Sequence, residues 1–181
     1  SKLGAEVFLN TGTGKQINLT INPDFGQAES DEVIVNFSAQ ETFYSEKRAF
    51  FNENQSLFDL NHYDRYRIIN TRRIGAKSSY LCSSSLNEND CIDSRKNYTD
   101  IDYALRYTQK NENLDFGVFV AKESDERYTN GKDFYAIRSK KKINNRTVGY
   151  FLTHVENNFL NESATVNVID FANVKSNKLT I

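Results

Sequence analysis

Long hydrophobic runs are missing from this chain: nowhere do roughly 18 apolar residues follow one another, as a membrane-spanning helix requires. A helical span is therefore excluded. A transmembrane barrel is not, because its strands are half polar where they line the lumen. A surplus of one charge is also missing. Lys and Arg number 23 against 24 Asp and Glu, a formal charge of -1. No basic field is available to hold nucleic acid, which is not an expected partner. Methionine is absent altogether, and with it an initiator or a charged leader followed by an apolar run. The chain thus reads as a piece of something longer, with its targeting signal elsewhere and the remainder of its own chain as one partner. Pro23 is the only proline. The only cysteines, Cys82 and Cys91, bound the polar loop "CSSSLNENDC". A disulfide across that loop is expected, and with it an oxidising compartment. Zinc is disfavoured there, since neither His62 nor His154 stands at ligand spacing from the pair.

What is present is alternation. "IDYALRYTQK" sets Tyr103, Leu105 and Tyr107 against Asp102, Ala104 and Arg106, which is the period of a strand. "LDFGVFVAK" sets Leu114, Phe116, Val118 and Val120 against Asp115, Gly117, Phe119 and Ala121, and the "NEN" between the two runs makes a hairpin. "DFYAIRSKKKI", "TVGYFLTHVE" and "ATVNVIDFA" continue the pattern, and short turns alternate with longer loops. That rhythm, with strands of about nine to eleven residues, suits an outer-membrane barrel. A soluble sandwich alternates in the same way, so periodicity leaves both open.

In the first part, a hairpin is expected around Thr11 to Gly14, and strands at "EVIVNFSA" and "DRYRIINTRRIG". Residues 40–64 have no clean period. The reading is one all-β region over 1–181: hairpin, irregular corner and strand in 1–75, a Cys loop in 76–98, and an antiparallel meander in 99–181.

Several motifs tempt a catalytic reading. "TGTGK" has the Gly-Lys of a phosphate loop, but Leu9 stands where its first glycine belongs and Gln16 where Ser or Thr must follow. "DFG" occurs at Asp24 and Asp115 without the other parts of a kinase. Six sequons, at Asn18, Asn36, Asn54, Asn97, Asn145 and Asn161, reflect an Asn-rich chain. The acidic run with Glu29, Asp31 and Glu32 lacks calcium-loop spacing and reads as a solvated turn. His154 shares a strand face with Tyr150 and Leu152, where it suits a structural or interface-girdle role. Glu41, Glu46 and Glu53 are the carboxylates a glycosidase would draw on, but irregular sequence cannot set their separation. No catalytic residue, metal site or cofactor is assigned.

"INPDFGQAESDEVIVNFSAQETFYSEKRAFF" and "NTRRIG", with the later strands "YALRYT", "GYFLTHVE" and "ATVNVIDF", resemble a known family. It is the barrel region of Gram-negative outer-membrane proteins, a domain of unknown function that follows a carbohydrate-binding module of the family-nine type. Two departures stand out: Ala49 replaces a proline, and Asn52 to Asn54 replace Leu-Glu-Gly. The resemblance implies an outer-membrane location, lipid as a partner and a link to glycans, though the module itself lies outside these residues.

In that context the stretch "SEKRAFFNENQSLFD" reads as a corner that folds into a lumen or covers the periplasmic mouth. Lys47, Arg48, Arg72 and Arg73 would pair with Glu41, Glu46 and Glu53. Phe50, Phe51 and Phe58 would hold it by burial, each contributing about 1.5–3 kcal/mol. The ligand-binding or pore-lining candidates are therefore Glu46, Lys47, Arg48, Phe50, Phe51, Glu53, Arg72 and Arg73. On the outer surface, Leu105, Phe116, Val118 and Val166 are expected to meet lipid. Three functional classes remain open: an outer-membrane barrel segment that binds or passes a glycan or other small-molecule substrate, a soluble periplasmic or surface β-domain that binds glycan or protein, and a polysaccharide hydrolase.

Overall fold

The computed structural model describes residues 3–24, 46–53, 55–62, 66–77, 80, 82, 88–158 and 160–173. The strands are β1 (Ala5–Asn10), β2 (Lys15–Ile21), β3 (Asn61–His62), β4 (Tyr66–Arg67), β5 (Ile101–Lys110), β6 (Leu114–Glu123), β7 (Lys132–Ile143), β8 (Arg146–Asn157) and β9 (Glu162–Asn173). The described residues also include the short helices α1 (Ala49–Asn52), α2 (Gln55–Phe58) and α3 (Glu88–Asp93), with a 3-10 turn at Thr71–Arg73. Seven strands form one antiparallel sheet in the order β1-β2-β5-β6-β7-β8-β9. The sheet is a meander of sequence neighbours with a single interruption, residues 22–100 between β2 and β5. Among the described residues β1 and β9 remain its two edges, so the sheet is open.

The alternation seen in the sequence fixes the faces, because opposed residues in an antiparallel ladder share a face. Thr20, Ala104, Ala121, Phe134 and Val155 stand in one row across β2 to β8. Asn18, Arg106, Phe119, Ala136 and Thr153 make the next row. Almost all of these side chains are buried. The opposite face carries Leu19, Leu105, Val120, Tyr135 and His154, then Ile17, Tyr107, Val118, Ile137 and Leu152. These residues are half-buried or exposed. One face is therefore covered, and the other presents aliphatic and aromatic side chains without cover from the described residues.

The cover is the interruption itself. Phe50, Phe51, Leu57 and Phe58 join Ala104, Phe119, Ala121, Phe134, Ala136 and Phe151 in one buried cluster. Large and small side chains alternate on the wall: Phe119 opposes Ala136, and Ala121 opposes Phe134. The alanines leave room for the rings of the insert. Gly117 goes further, since a methyl group there would stand 2.7 Å from both the Leu57 Cδ2 and the Phe58 ring. Phe58 packs on Phe119 and Phe151 with ring centroids 6.4 and 6.2 Å apart, and Phe51 on Phe119 at 6.1 Å.

The two longest connections, the insert and the loop 124–131, leave from the same end of the sheet. Residues 11–14, 111–113 and 144–145 close one end of the sheet; the insert, the loop 124–131 and the turn 158–161 occupy the other. Asn144 takes the left-handed conformation, φ 54°, that lets its two-residue turn close, and asparagine tolerates this better than most residues. The insert thus springs from the long-loop end.

Some expectations need correction. The strand expected at "DRYRIINTRRIG" shrinks to Tyr66–Arg67, and Thr71–Arg73 coil into a 3-10 turn because Arg48 takes carbonyls there. The aperiodic region contains two one-turn helices, whose apolar residues are grouped to fit one patch of wall. Val166 opposes Thr153 on the covered face and is exposed because β9 is an edge. Alternation within β9 does not by itself say which of its faces is covered, and Val166 is not on the lipid-facing side expected from the sequence. "EVIVNFSA", Glu29, Asp31, Glu32 and Glu41 lie outside the described residues.

Candidate functional site

Arg48 organises the insert. Its Nε donates to Glu46 Oε1 and its Nη2 to Glu46 Oε2, both at 2.8 Å. The same guanidinium reaches the carbonyls of Ile74 and Thr71 at 2.7 Å and lies 4.1 Å above the Phe51 ring. Glu46 also accepts the Thr71 hydroxyl at 2.7 Å. Burial by itself pushes the Glu46 carboxyl up, but the Arg48 guanidinium and the Thr71 hydroxyl outweigh it and hold the group below its ordinary range. One ion pair, buried on both sides, thereby ties the start of α1 to the 3-10 turn two dozen residues later.

A second carboxylate ties that turn to the wall. Glu123, the last residue of β6, is fully buried, and its two oxygens accept the amides of Gly75 at 2.8 Å and Lys132 at 3.0 Å. Gly75 has φ 79°, a conformation that glycine adopts without strain. A third pair lies flat on the covered face: Arg138 of β7 reaches Asp170 of β9 at 2.5 and 2.9 Å, across Gly149 of β8. The Arg138 side chain is fully buried, stands over the Phe151 ring, and leaves its Nε without a hydrogen bond.

Between insert and wall lies a cavity of about 250 Å³. Phe51 and Phe58 line it from the insert and Phe119 from β6. Its polar lining includes Glu46, Asn52, Asp59, Arg67, Thr71 and Arg106. The Arg106 side chain is only 5% exposed, yet its ion pair to Glu53 Oε2, the one it makes among the described residues, is 3.5 Å long. Glu53 is half exposed and accepts the Asn18 amide at 2.7 Å with the same oxygen. The Phe50 ring centroid lies 5.1 Å from the Arg106 guanidinium carbon.

The candidates from the sequence therefore separate. Glu46 and Phe51 meet the cavity directly, and Glu53 reaches it through Arg106. Arg48 and Phe50 are buried supports. Lys47 and Arg73 are exposed, Arg72 is half-buried, and none of the three lines the cavity. Of the pairings expected among these charges, Arg48 with Glu46 forms. Glu46 has both oxygens committed, which leaves it poorly placed for acid–base work on a glycoside. Cys82 and Cys91 are joined in a disulfide, with Cα atoms 5.5 Å apart. Arg106, Glu123, Arg138 and Asp170 did not stand out in the sequence. The available signal was a charged residue flanked by apolar ones in a strand, which places the charge on the face opposite the apolar one. Among the described residues no group of three metal-ligating side chains converges.

A one-sided antiparallel meander whose covered face holds an aromatic insert and a cavity defines an all-β wall-and-insert protein. The chain belongs to the family described as a domain of unknown function, DUF5916, which matches residues 16–179. No curated protein and no solved structure matches it significantly.

Proposed function

We propose that this chain is a wall segment and lumen insert of an outer-membrane β-barrel protein, and that the cavity between insert and wall is where a small substrate is held or passed. The observation that carries this reading is the open face of the sheet, whose aliphatic and aromatic side chains nothing among the described residues covers. On the covered face, buried Asn18, Thr20, Arg106, Thr108, Glu123 and Arg138 stand beside the core of Phe119, Phe134 and Phe151. A soluble sheet covers its apolar face; a transmembrane barrel turns an apolar face to lipid and admits polar side chains inside.

Aliphatic and aromatic side chains mix within the rows of the open face: Leu105 and Val120 stand beside Tyr135 and His154, and Tyr107 beside Val118, Ile137 and Leu152. Tyr103 lies one row nearer the long-loop end, and Phe116 and Tyr150 one row nearer the short-turn end. His154 bonds Thr165 across the ladder at 2.7 Å. β5 to β9 are ten or twelve residues long, enough for a tilted strand to cross the hydrocarbon layer. No helix among the described residues is long and apolar enough to do so. The insert enters from the long-loop end, the external side in such barrels. A plug from outside fits that arrangement better than a periplasmic cover.

The test is purification of the full chain with and without detergent, followed by sizing and far-ultraviolet circular dichroism. The expected result is a β-rich monodisperse species in detergent and aggregation without it. A monodisperse β-rich monomer in plain buffer would overturn the lipid-facing reading and favour a soluble periplasmic or surface domain.

A further inference from the structure

We propose that the cavity between insert and wall binds a small cyclic carboxylate, with Arg106 as the group that recognises the carboxylate and Phe51, Phe58 and Phe119 as the contacts for the ring. This deepens the reading of the cavity as a substrate site and is independent of what covers the opposite face of the sheet.

The charges that line the cavity are unevenly partnered. Glu46 is neutralised by Arg48 through two 2.8 Å bonds, so neither has charge to spare for a ligand. Asp59 and Arg67 bring one charge of each sign to the lining. Arg106 is the exception. A guanidinium carries five N–H donors in a planar fork. Among the described residues Arg106 uses one of them, in a 3.5 Å bond to a half-exposed carboxylate that already serves Asn18. A cation removed from water needs a close, hydrogen-bonded counter-charge. Glu53 supplies only a distant one. A ligand carboxylate in the cavity would meet the fork in the bidentate geometry that guanidinium favours and would displace Glu53 toward solvent.

Size and lining set the rest of the ligand. The volume, about 250 Å³, lies below the roughly 300–1,000 Å³ of sites for drug-sized molecules. It suits one ring and its substituents, and excludes an oligomer. Three phenylalanines from two sides supply apolar contact for a ring, and the Thr71 hydroxyl oxygen, whose proton goes to Glu46, can accept from a hydroxyl at its edge. An aromatic acid and a sugar acid share this chemistry, a carboxylate on a compact ring.

The test is calorimetric titration of the full chain with four probes: benzoate, galacturonate, and their uncharged counterparts benzyl alcohol and methyl galactoside. At least one acid should bind ten times more tightly than its uncharged counterpart, and which acid binds assigns the source. Arg106→Gln should lose at least tenfold for the acid. Should that variant fail to fold, Glu53→Gln decides: removal of the competing carboxylate should tighten acid binding threefold or more, without changing the uncharged probes. Equal binding of acids and uncharged rings would overturn the carboxylate assignment and leave the cavity a substrate site. No binding of any probe would overturn both. Weaker acid binding in Glu53→Gln would also refute it, since Glu53 would then help the ligand instead of competing with it.

Discussion

Replacement of Gly149 by alanine sets two physical effects of opposite sign against each other. In a strand interior, alanine is favoured over glycine by about 0.5–1 kcal/mol, because glycine loses more backbone freedom on folding. Propensity alone therefore predicts a more stable protein. The covered face predicts the reverse. A methyl group at position 149 would collide with Asp170 Oδ1 and stand 2.7 Å from its Oδ2 and 2.8 Å from Arg138 Nη1. The pair bridges β7 and β9 only because β8 carries no side chain beneath it, so the carboxylate has to move off the guanidinium. Breaking a buried ion pair costs about 3–5 kcal/mol. Asp170 is 24% exposed and regains some solvation, so the lower end, about 3 kcal/mol, applies. The net expectation is a loss of about 2 kcal/mol. Guanidinium unfolding in detergent, followed by circular dichroism, measures it. A midpoint at or above that of the wild type would refute the reasoning. The same change in an Arg138→Met, Asp170→Leu background isolates the cause: with no pair to disturb, the coupling should vanish and alanine should be neutral or mildly stabilising.

Two further perturbations probe the insert. Glu123→Gln keeps the shape but turns one acceptor into a donor facing an amide, so it should cost about 1–3 kcal/mol and speed hydrogen exchange at Gly75 while the β7–β8 ladder stays protected. Undiminished protection at Gly75 would refute the link between wall and turn. For Glu46, held below its ordinary 4.5, the folded state favours the charged form. Its contribution is present above pH 4.5 and is lost as pH falls through the lower folded value. Thermal melts from pH 7 to pH 3 should show the wild type ahead of Glu46→Gln at neutral pH, with the gap closing below about 4.5. A constant gap would mean that packing, not the Arg48 pair, carries the effect.

The meander was legible because its signal is local. Tyr103, Leu105 and Tyr107 alternate with Ala104 and Arg106 within one strand, and alternation with a period of two admits one assignment of faces. Val166 shows the limit of that approach: both sides of β9 carry β-branched residues, and only the pairing with Thr153 decides which side points to the insert. The disulfide was legible from two cysteines at the ends of a polar loop. In the insert, apolar residues cluster as Phe50, Phe51, Leu57 and Phe58 without a period, because they fit a wall more than forty residues away in sequence instead of a face of their own element.

The site follows the same division. Glu46, Phe51 and Glu53 stood out as charged and aromatic residues in an unusual stretch, and all three meet the cavity or its guanidinium. Arg106, which completes it, sits in an ordinary strand, and nothing within ten residues of it marks it as a buried cation with a distant partner. The sequence by itself determined which residues alternate, hence the strands, their hairpins and the two faces of each, because those depend on chain geometry over a few residues. Only the tertiary structure decided which face is covered, which carboxylate each buried cation receives, and where the packing leaves a space, because long-range contacts are chosen by the competition of all segments for one wall.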